Sequence, residues 1–266
     1  MSISSTLSSA MSGLTASSRM AEITASNISN ALTEGYARRE VQLSSRSGIS
    51  NGMGVTVSGV IRHIDMGLLQ DLRLSTSGQG YQQARSGFLS TVEQSFGTAD
   101  AADSLSGRIS AFERSLVEAA SRPESEARLA VVADTANGVI RSLTTASQTI
   151  QDQRQKADAR IAFEVGQLND SLAGVAGLNV RIREAMASGR DTAALMDQRQ
   201  QMVDRISAIV PVKEVARDRG EIALFTSGGT ILLEGRPTAL EFTRTGVITA
   251  DMTQSGGPLS GLTLNG

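Results

Sequence analysis

The sequence predicts a mainly α protein with a C-terminal β-rich region, an α+β chain whose helices form a long-helix bundle or coiled coil. Three observations predict it. Apolar side chains recur at steps of three and four through most of residues 105–209. No proline lies between Pro123 and Pro211. Beyond Pro211 the period falls to two, punctuated by Gly228-Gly229, Gly235 and Gly256-Gly257. The expected division is 1–62 (a helix plus an extended hairpin), 63–210 (the long-helix bundle) and 211–266 (short antiparallel strands).

The first 33 residues hold one base, Arg19, and one acid, Glu22, among many Ser and Thr. Ile3, Leu7, Ala10, Leu14, Ser17, Ala21, Thr24 and Ile28 step alternately by four and three. That is the spacing of a helix that lies along a partner. The pattern fits an ordinary amphipathic helix, and equally a segment that orders only on assembly. Gly35 is expected to end the helix in a left-handed conformation. Val41 and Leu43, then Val55, Val57 and Val60, suggest two strands joined by a turn at Asn51-Gly52. Leu68, Leu69 and Leu72 share a helix face, and Gly78, Gly80 and Gly87 weaken the stretch beyond it. Leu105, Ile109, Phe112 and Leu116 mark another helix. Ser121-Arg122-Pro123-Glu124 reads as a capped helix start. From there the stripe runs through Leu129, Val132, Ala136, Ile140, Leu143 and Ile150. It continues through Ile161, Val165, Leu168, Leu172, Val175, Asn179, Ile182 and Met186. A shorter helix carries Leu195, Met202, Ile206 and Ile209 inward. Beyond Pro211 the alternation along each strand sets Val212 with Val215, Ile222 with Leu224, Ile231 with Leu233 and Leu240 with Phe242.

The composition is poor in catalytic side chains. There is no Cys or Trp and one His, and aromatics make up 3% of the chain. Without Cys there are no disulfides, thiolate metal sites or cysteine nucleophiles. The net charge of −2 and the scattered arginines argue against a nucleic-acid surface. No apolar run approaches a membrane span, and no cleavable secretory signal is expected. His63 and Asp65 are two potential ligands and not a metal site. Asp152, Asp158, Glu164 and Asp170 are expected on solvated helix faces. Asp197-Gln198-Arg199 is expected to act structurally, as a helix-start charge with ion pairs that fix the turn into the strands. No cofactor and no catalytic residue is expected.

Ala25-Ser26-Asn27-Ile28-Ser29-Asn30-Ala31-Leu32-Thr33-Glu34-Gly35-Tyr36 resembles the N-terminal signature of bacterial flagellar axial proteins, with Asn27, Asn30, Gly35 and Tyr36 as its turn. Gly54 through Val57, Ile61 through Asp65 and Leu69 through Arg73 resemble the segment after the hairpin in the hook-associated protein 1 (FlgK) family. Leu195 through Val203, with Gly228 through Gly235 downstream, is similar to that family's L-x-D-Q-R-D-x-L-V helix and glycine-flanked strand. The three stretches, in order, cover about two thirds of the chain. Leu68 stands where an aromatic is common, Gln200 replaces an acid, and residues 74–108 match no named segment.

The resemblance implies an axial-protein fold and a structural, non-enzymatic subunit that joins hook to filament. It implies export through the flagellar type III channel without a cleaved signal, and an extracellular place at the hook–filament junction. Implied partners are further copies in a ring, the hook protein, a second hook-associated junction protein and an export chaperone. Nucleic acid and membrane insertion are not implied. Ile3, Leu7, Met11, Leu14 and Ile28 are then the candidate subunit-interface residues. The family continues through a longer β-domain and returns with a C-terminal helix. With neither in these 266 residues, the chain is expected to be a fragment or a shortened reading frame. A hook or distal-rod subunit, and a non-flagellar coiled-coil adaptor, are the rival readings.

Overall fold

The computed structural model describes residues 3–46, 54–255 and 257–265. The expected Asn51-Gly52 turn lies outside them. Five α-helices and eight short strands succeed one another among the described residues. Helix α1 (Ile3–Ser29) leads into the hairpin of β1 (Arg38–Arg46) and β2 (Gly54–His63). Then come α2 (Met66–Phe96), α3 (Leu105–Ala120), α4 (Glu126–Ala187) and α5 (Ala193–Ile209). The strands β3 (Val212–Ala216), β4 (Ile222–Thr226), β5 (Ile231–Glu234) and β6 (Arg236–Pro237) form an antiparallel meander in chain order. Strands β7 (Ala239–Glu241) and β8 (Thr263–Asn265) make a separate pair. The chain is thus mainly helical with small antiparallel sheets, as its periodicity predicts.

Contacts gather the chain into two compact units. One holds the residues up to Gly78 together with Gln167–Ala239; the other holds Gln79–Gly166 and Leu240–Leu264. These groups cut across the divisions at 62 and 210, which mark changes of sequence period.

In the first unit the four-three steps of α4 place Leu168, Leu172, Val175 and Ile182 in the core, each no more than 1% exposed. Val203 and Ile206 of α5 and Leu224 and Leu233 of the meander are buried equally deeply. Ile231 departs from its expected inward place and lies half-exposed, while Leu232 and Leu233 are both buried. The cause is a register shift. Leu224 and Phe225 are consecutive on β4, yet they pair with Leu233 and Ile231. Leu232 is therefore an extra, bulged residue turned inward.

The second unit rests on polar ties. The Ser104 hydroxyl caps α3 by accepting from Gly107 N at 3.0 Å, and the Ser115 and Thr135 hydroxyls join α3 to α4 at 2.9 Å. Three side chains on α4 clip down the segment after β7. Arg154 donates to the carbonyls of Thr249 and Met252. Gln155 donates to Thr245 O and Gly246 O and accepts from Ile248 N. Asp158 accepts from Thr245 N at 3.0 Å. Asp158 is therefore buried, which corrects its expected place on a solvated face.

Helix α2 runs unbroken through the weakening Gly78, Gly80 and Gly87, since a glycine costs a helix only about 1 kcal/mol. Two further expectations are corrected. Helix α4 begins at Glu126, with the Ser125 carbonyl accepting from Leu129 N at 3.1 Å. Ser121 instead ends α3, its hydroxyl donating to Glu118 O. Pro123 disfavours helical geometry at Arg122, which pushes the start of α4 downstream. Finally, Leu129, Ile140 and Leu143 are exposed, while Ala146 is buried. A seven-residue repeat drifts about 20° per heptad against a straight helix, so a stripe drawn over about 60 residues cannot keep one face inward.

Leu172→Ala should lower stability by about 2–5 kcal/mol, as for large-to-small changes in a tight core. Ile140→Ala, at an exposed position, should cost less than about 1 kcal/mol. Urea denaturation of both variants checks the contrast; equal losses would place the core elsewhere.

Candidate functional site

Helix α1 carries two seams on opposite faces. Ser5, Ser9, Ser12, Ala16, Arg19, Ile23, Ser26 and Asn30 also step by four and three, and all are buried or half-buried. Each lies two residues beyond a member of the apolar stripe, roughly 200° around the helix. The apolar stripe itself is exposed from end to end. Ile3 is 89% exposed, Met11 56%, and Leu7, Leu14 and Ile28 lie between. The candidate interface residues therefore share one outward face.

The inner seam meets the β1–β2 hairpin through small and polar groups. Val55 N donates to the Ser12 hydroxyl at 3.2 Å. The backbone of Gly54 lies so close that a Cβ there would fall 2.6 Å from the same oxygen. At the far end, Asn27 pairs with the backbone of Arg39 as a neighbouring strand would. Its Nδ2 donates to Arg39 O at 2.8 Å, and its Oδ1 accepts from Arg39 N at 2.9 Å. Asn27 Oδ1 also accepts from the Tyr36 hydroxyl at 2.9 Å. Asn30 donates to Ser26 O and accepts from the Thr33 hydroxyl. The helix ends at Ser29, ahead of the expected stop at Gly35. Asn30 and Thr33 then build a separate turn, with Thr33 N bonded to Asn30 O at 2.9 Å. Gly35 does take a positive φ, +76°. A side chain there would also meet Gln201, 2.5 Å from its Cγ.

Asp197 anchors this limb to α5. Its Oδ2 accepts from Arg39 NH2 at 2.6 Å. Its Oδ1 accepts from Arg62 Nε at 2.9 Å, from Arg62 NH2 at 2.5 Å and from Ala37 N at 3.4 Å. All three side chains are nearly buried. Arg62 also donates to Gln200 Oε1 at 3.1 Å, so the glutamine that replaces an acid still serves as acceptor. The Arg39 guanidinium stacks over Tyr36, 4.8 Å from the ring centroid, which joins the signature turn to the anchor.

Arg199 faces the other way. It donates to Asn179 Oδ1 at 2.9 Å and to Gly220 O at 2.6 Å. Asn179 in turn bonds the backbone of Ile222 in both directions. Burial lowers the pKa of Arg199, opposed by the charges of Glu214 and Glu221. Gln198, between the two, is exposed. Deeper along α5, buried Arg73 bridges Asp204 and Glu214, each at 2.7 Å. Burial pushes the Asp204 carboxyl above its ordinary range against the pull of Arg73. The roles of Arg39, Arg62 and Arg73 were not read from spacing, because their acidic partners lie 131 to 158 residues away.

His63 meets Glu40 across the hairpin at 2.8 Å, and Asp65 accepts from Leu68 N at the start of α2. Among the described residues no cluster of three or more His, Asp or Glu is arranged to hold a metal. Among them, too, no helix is long and apolar enough to cross a membrane.

Residues 89–261 match the helical domain of the flagellar hook-associated protein FlgK. Residues 7–36 match the flagella basal body rod protein family. Flagellar hook-associated protein 1 of Salmonella typhimurium is 31% identical over 268 residues, covering 94% of this chain and 47% of the relative. Its counterparts in Escherichia coli K12 and Bacillus subtilis 168 are 28% and 26% identical, over 88% and 86% of this chain. The chain spans about half the length of the curated relatives it matches. The solved flagellar hook junction protein FlgK of Burkholderia pseudomallei shares the fold, with a TM-score of 0.55 over 64% of this chain and 30% of that one, at 23% identity.

Asp197→Asn should leave two guanidiniums nearly buried without their countercharge, at a local cost of about 2–3 kcal/mol. Native-state hydrogen exchange in β1 and β2 should then quicken on the order of a hundredfold, with α4 and β4 unchanged. Unaltered exchange in the hairpin would show that Asp197 does not hold it.

Proposed function

The chain belongs to the FlgK family of flagellar hook-associated proteins, and on that premise we propose that it is a structural subunit of the bacterial flagellum that joins hook to filament, without catalysis. Residues 1–62 act as the export and assembly segment, 63–210 as the helical body and 211–266 as a β-rich region. The subunit leaves the cell by the flagellar type III route with the help of an export chaperone. It then takes its place at the hook–filament junction, in a ring of its own copies, between the hook protein and a second hook-associated junction protein.

The observation that carries this reading is the outward stripe of α1. Ile3, Leu7, Met11, Leu14 and Ile28 are exposed, while the opposite seam is already engaged with the hairpin. Each large aliphatic that becomes buried contributes roughly 1.5–3 kcal/mol. Several together supply enough to drive ordering of a helix that is marginal alone. Folding of this segment is then completed by assembly. The rod-protein match spans residues 7–36, the helix and its turn. The match over residues 89–261 is to the hook-associated family, which favours the junction over the rod or hook.

Leu14→Asp should block incorporation while the isolated chain keeps its helical content and melting temperature, because Leu14 touches little of its own chain. Electron microscopy of cells carrying the variant should show bare hooks, with flagellin in the medium, as should deletion of the gene. Normal filaments with Leu14→Asp would remove the stripe from the assembly surface. Missing hooks on deletion would move the protein down to the rod or hook.

A further inference from the structure

Helices α4 and α5 lie antiparallel, with Gly174 against Met202 and Asn179 bonded to Arg199. Outside their buried seam they leave an open groove of about 320 Å³. Its lining residues fall at 174, 177, 178 and 181 on α4 and at 198, 201, 202 and 205 on α5. These are steps of three and four that keep one face of each helix. The antiparallel register puts Arg181 and Arg205 at opposite ends, on the order of 13 Å apart along the axes. Gly177 lies between them, with open space where a side chain would stand.

The charges in this groove are unbalanced. No acidic side chain lines it. Arg205 also borders a cavity with Glu34 and Asp204, but Asp204 is bonded to Arg73. Among the described residues neither Arg181 nor Arg205 has an ion pair or hydrogen bond, whereas Arg183, two residues from Arg181, pairs with Glu221. Two free guanidinium forks flanking a glycine floor are complementary to carboxylates carried on a close-approaching backbone.

We infer that the α4–α5 groove is a docking site for an acidic helix of a different protein, with one carboxylate held by Arg181, another by Arg205, and its backbone lying over Gly177. The groove's length asks for acids two to three helical turns apart on one face, about seven or eleven residues. Among the helices of the described residues only Asp197 and Asp204 stand seven or eleven residues apart. Both are already held by arginines. Those helices therefore offer no free pair of acids at that spacing, which favours a different protein as the occupant.

The test uses the full chain and an alanine-based helical peptide with glutamates two and three turns apart on one face. Fluorescence anisotropy should show binding that weakens about tenfold or more when the glutamates become glutamines. The same loss should occur in the Arg181→Gln/Arg205→Gln double variant. It should also occur in Gly177→Leu, which fills the groove while favouring the helix; its circular dichroism melt should be no lower than that of the parent. Arg141→Gln, in the other compact unit, should bind as the parent does. Equal affinity for both peptides, or undiminished binding by the double variant, would overturn the proposal. So would concentration-dependent sedimentation of the parent chain that the double variant abolishes, since the occupant would then be a second copy.

Discussion

The amino-terminal limb hangs on one carboxylate. Asp197 gathers Arg39 from β1, Arg62 from β2 and the amide of Ala37 from the turn before them. Buried ion pairs add little net stability, but they are costly to break, because a lone charge then remains in a poor dielectric. Such a group specifies position more than it supplies energy. Asp197 and Arg199 are two residues apart and so point to opposite sides of α5. One holds the hairpin; the other, through Asn179 and Gly220, holds the turn between β3 and β4. The hairpin, α4 and the meander are thereby set by two side chains of a single helix.

This arrangement decides what α1 can do. Its inner seam is satisfied by Ser12, Asn27 and the backbone of the hairpin, which leaves little apolar surface to bury. The large aliphatics lie on the other face and stay in solvent. An exposed apolar row of this length is uncommon on a monomer, and it is the surface that the proposed assembly would cover. The polar inner seam has its own advantage. Hydrogen bonds hold α1 on the hairpin without using the side chains that the proposed assembly would cover.

Much of the fold was legible in periodicity. The steps from Leu168 to Ile182 form the core of α4 as read, and the glycine-bounded strands after Pro211 form the meander. The stripe on α1 was legible as one face, but a heptad pattern tells which residues lie together and not what covers them. The polar seam two residues away leaves no trace in that pattern, because serines carry no hydrophobic signal. Ser121 is ambiguous in sequence, because a serine that ends one helix and a serine that starts the next differ only in their tertiary context. Of the anchor, Asp197 and Arg199 stand out in the sequence as charges at the head of a helix. Their partners do not, since ion pairs formed across more than about 130 residues leave no local trace.

If α1 completes its folding on assembly, its outward face is free in the isolated chain and covered in the assembled flagellum. The chain has no cysteine, so Leu7→Cys introduces a single thiol on that face. Maleimide labelling of the isolated chain and of intact flagella compares the two states directly. The thiol should label rapidly in the free chain and be protected in the assembled structure. Equal labelling in both would contradict it, because the stripe would then face solvent wherever the protein is found.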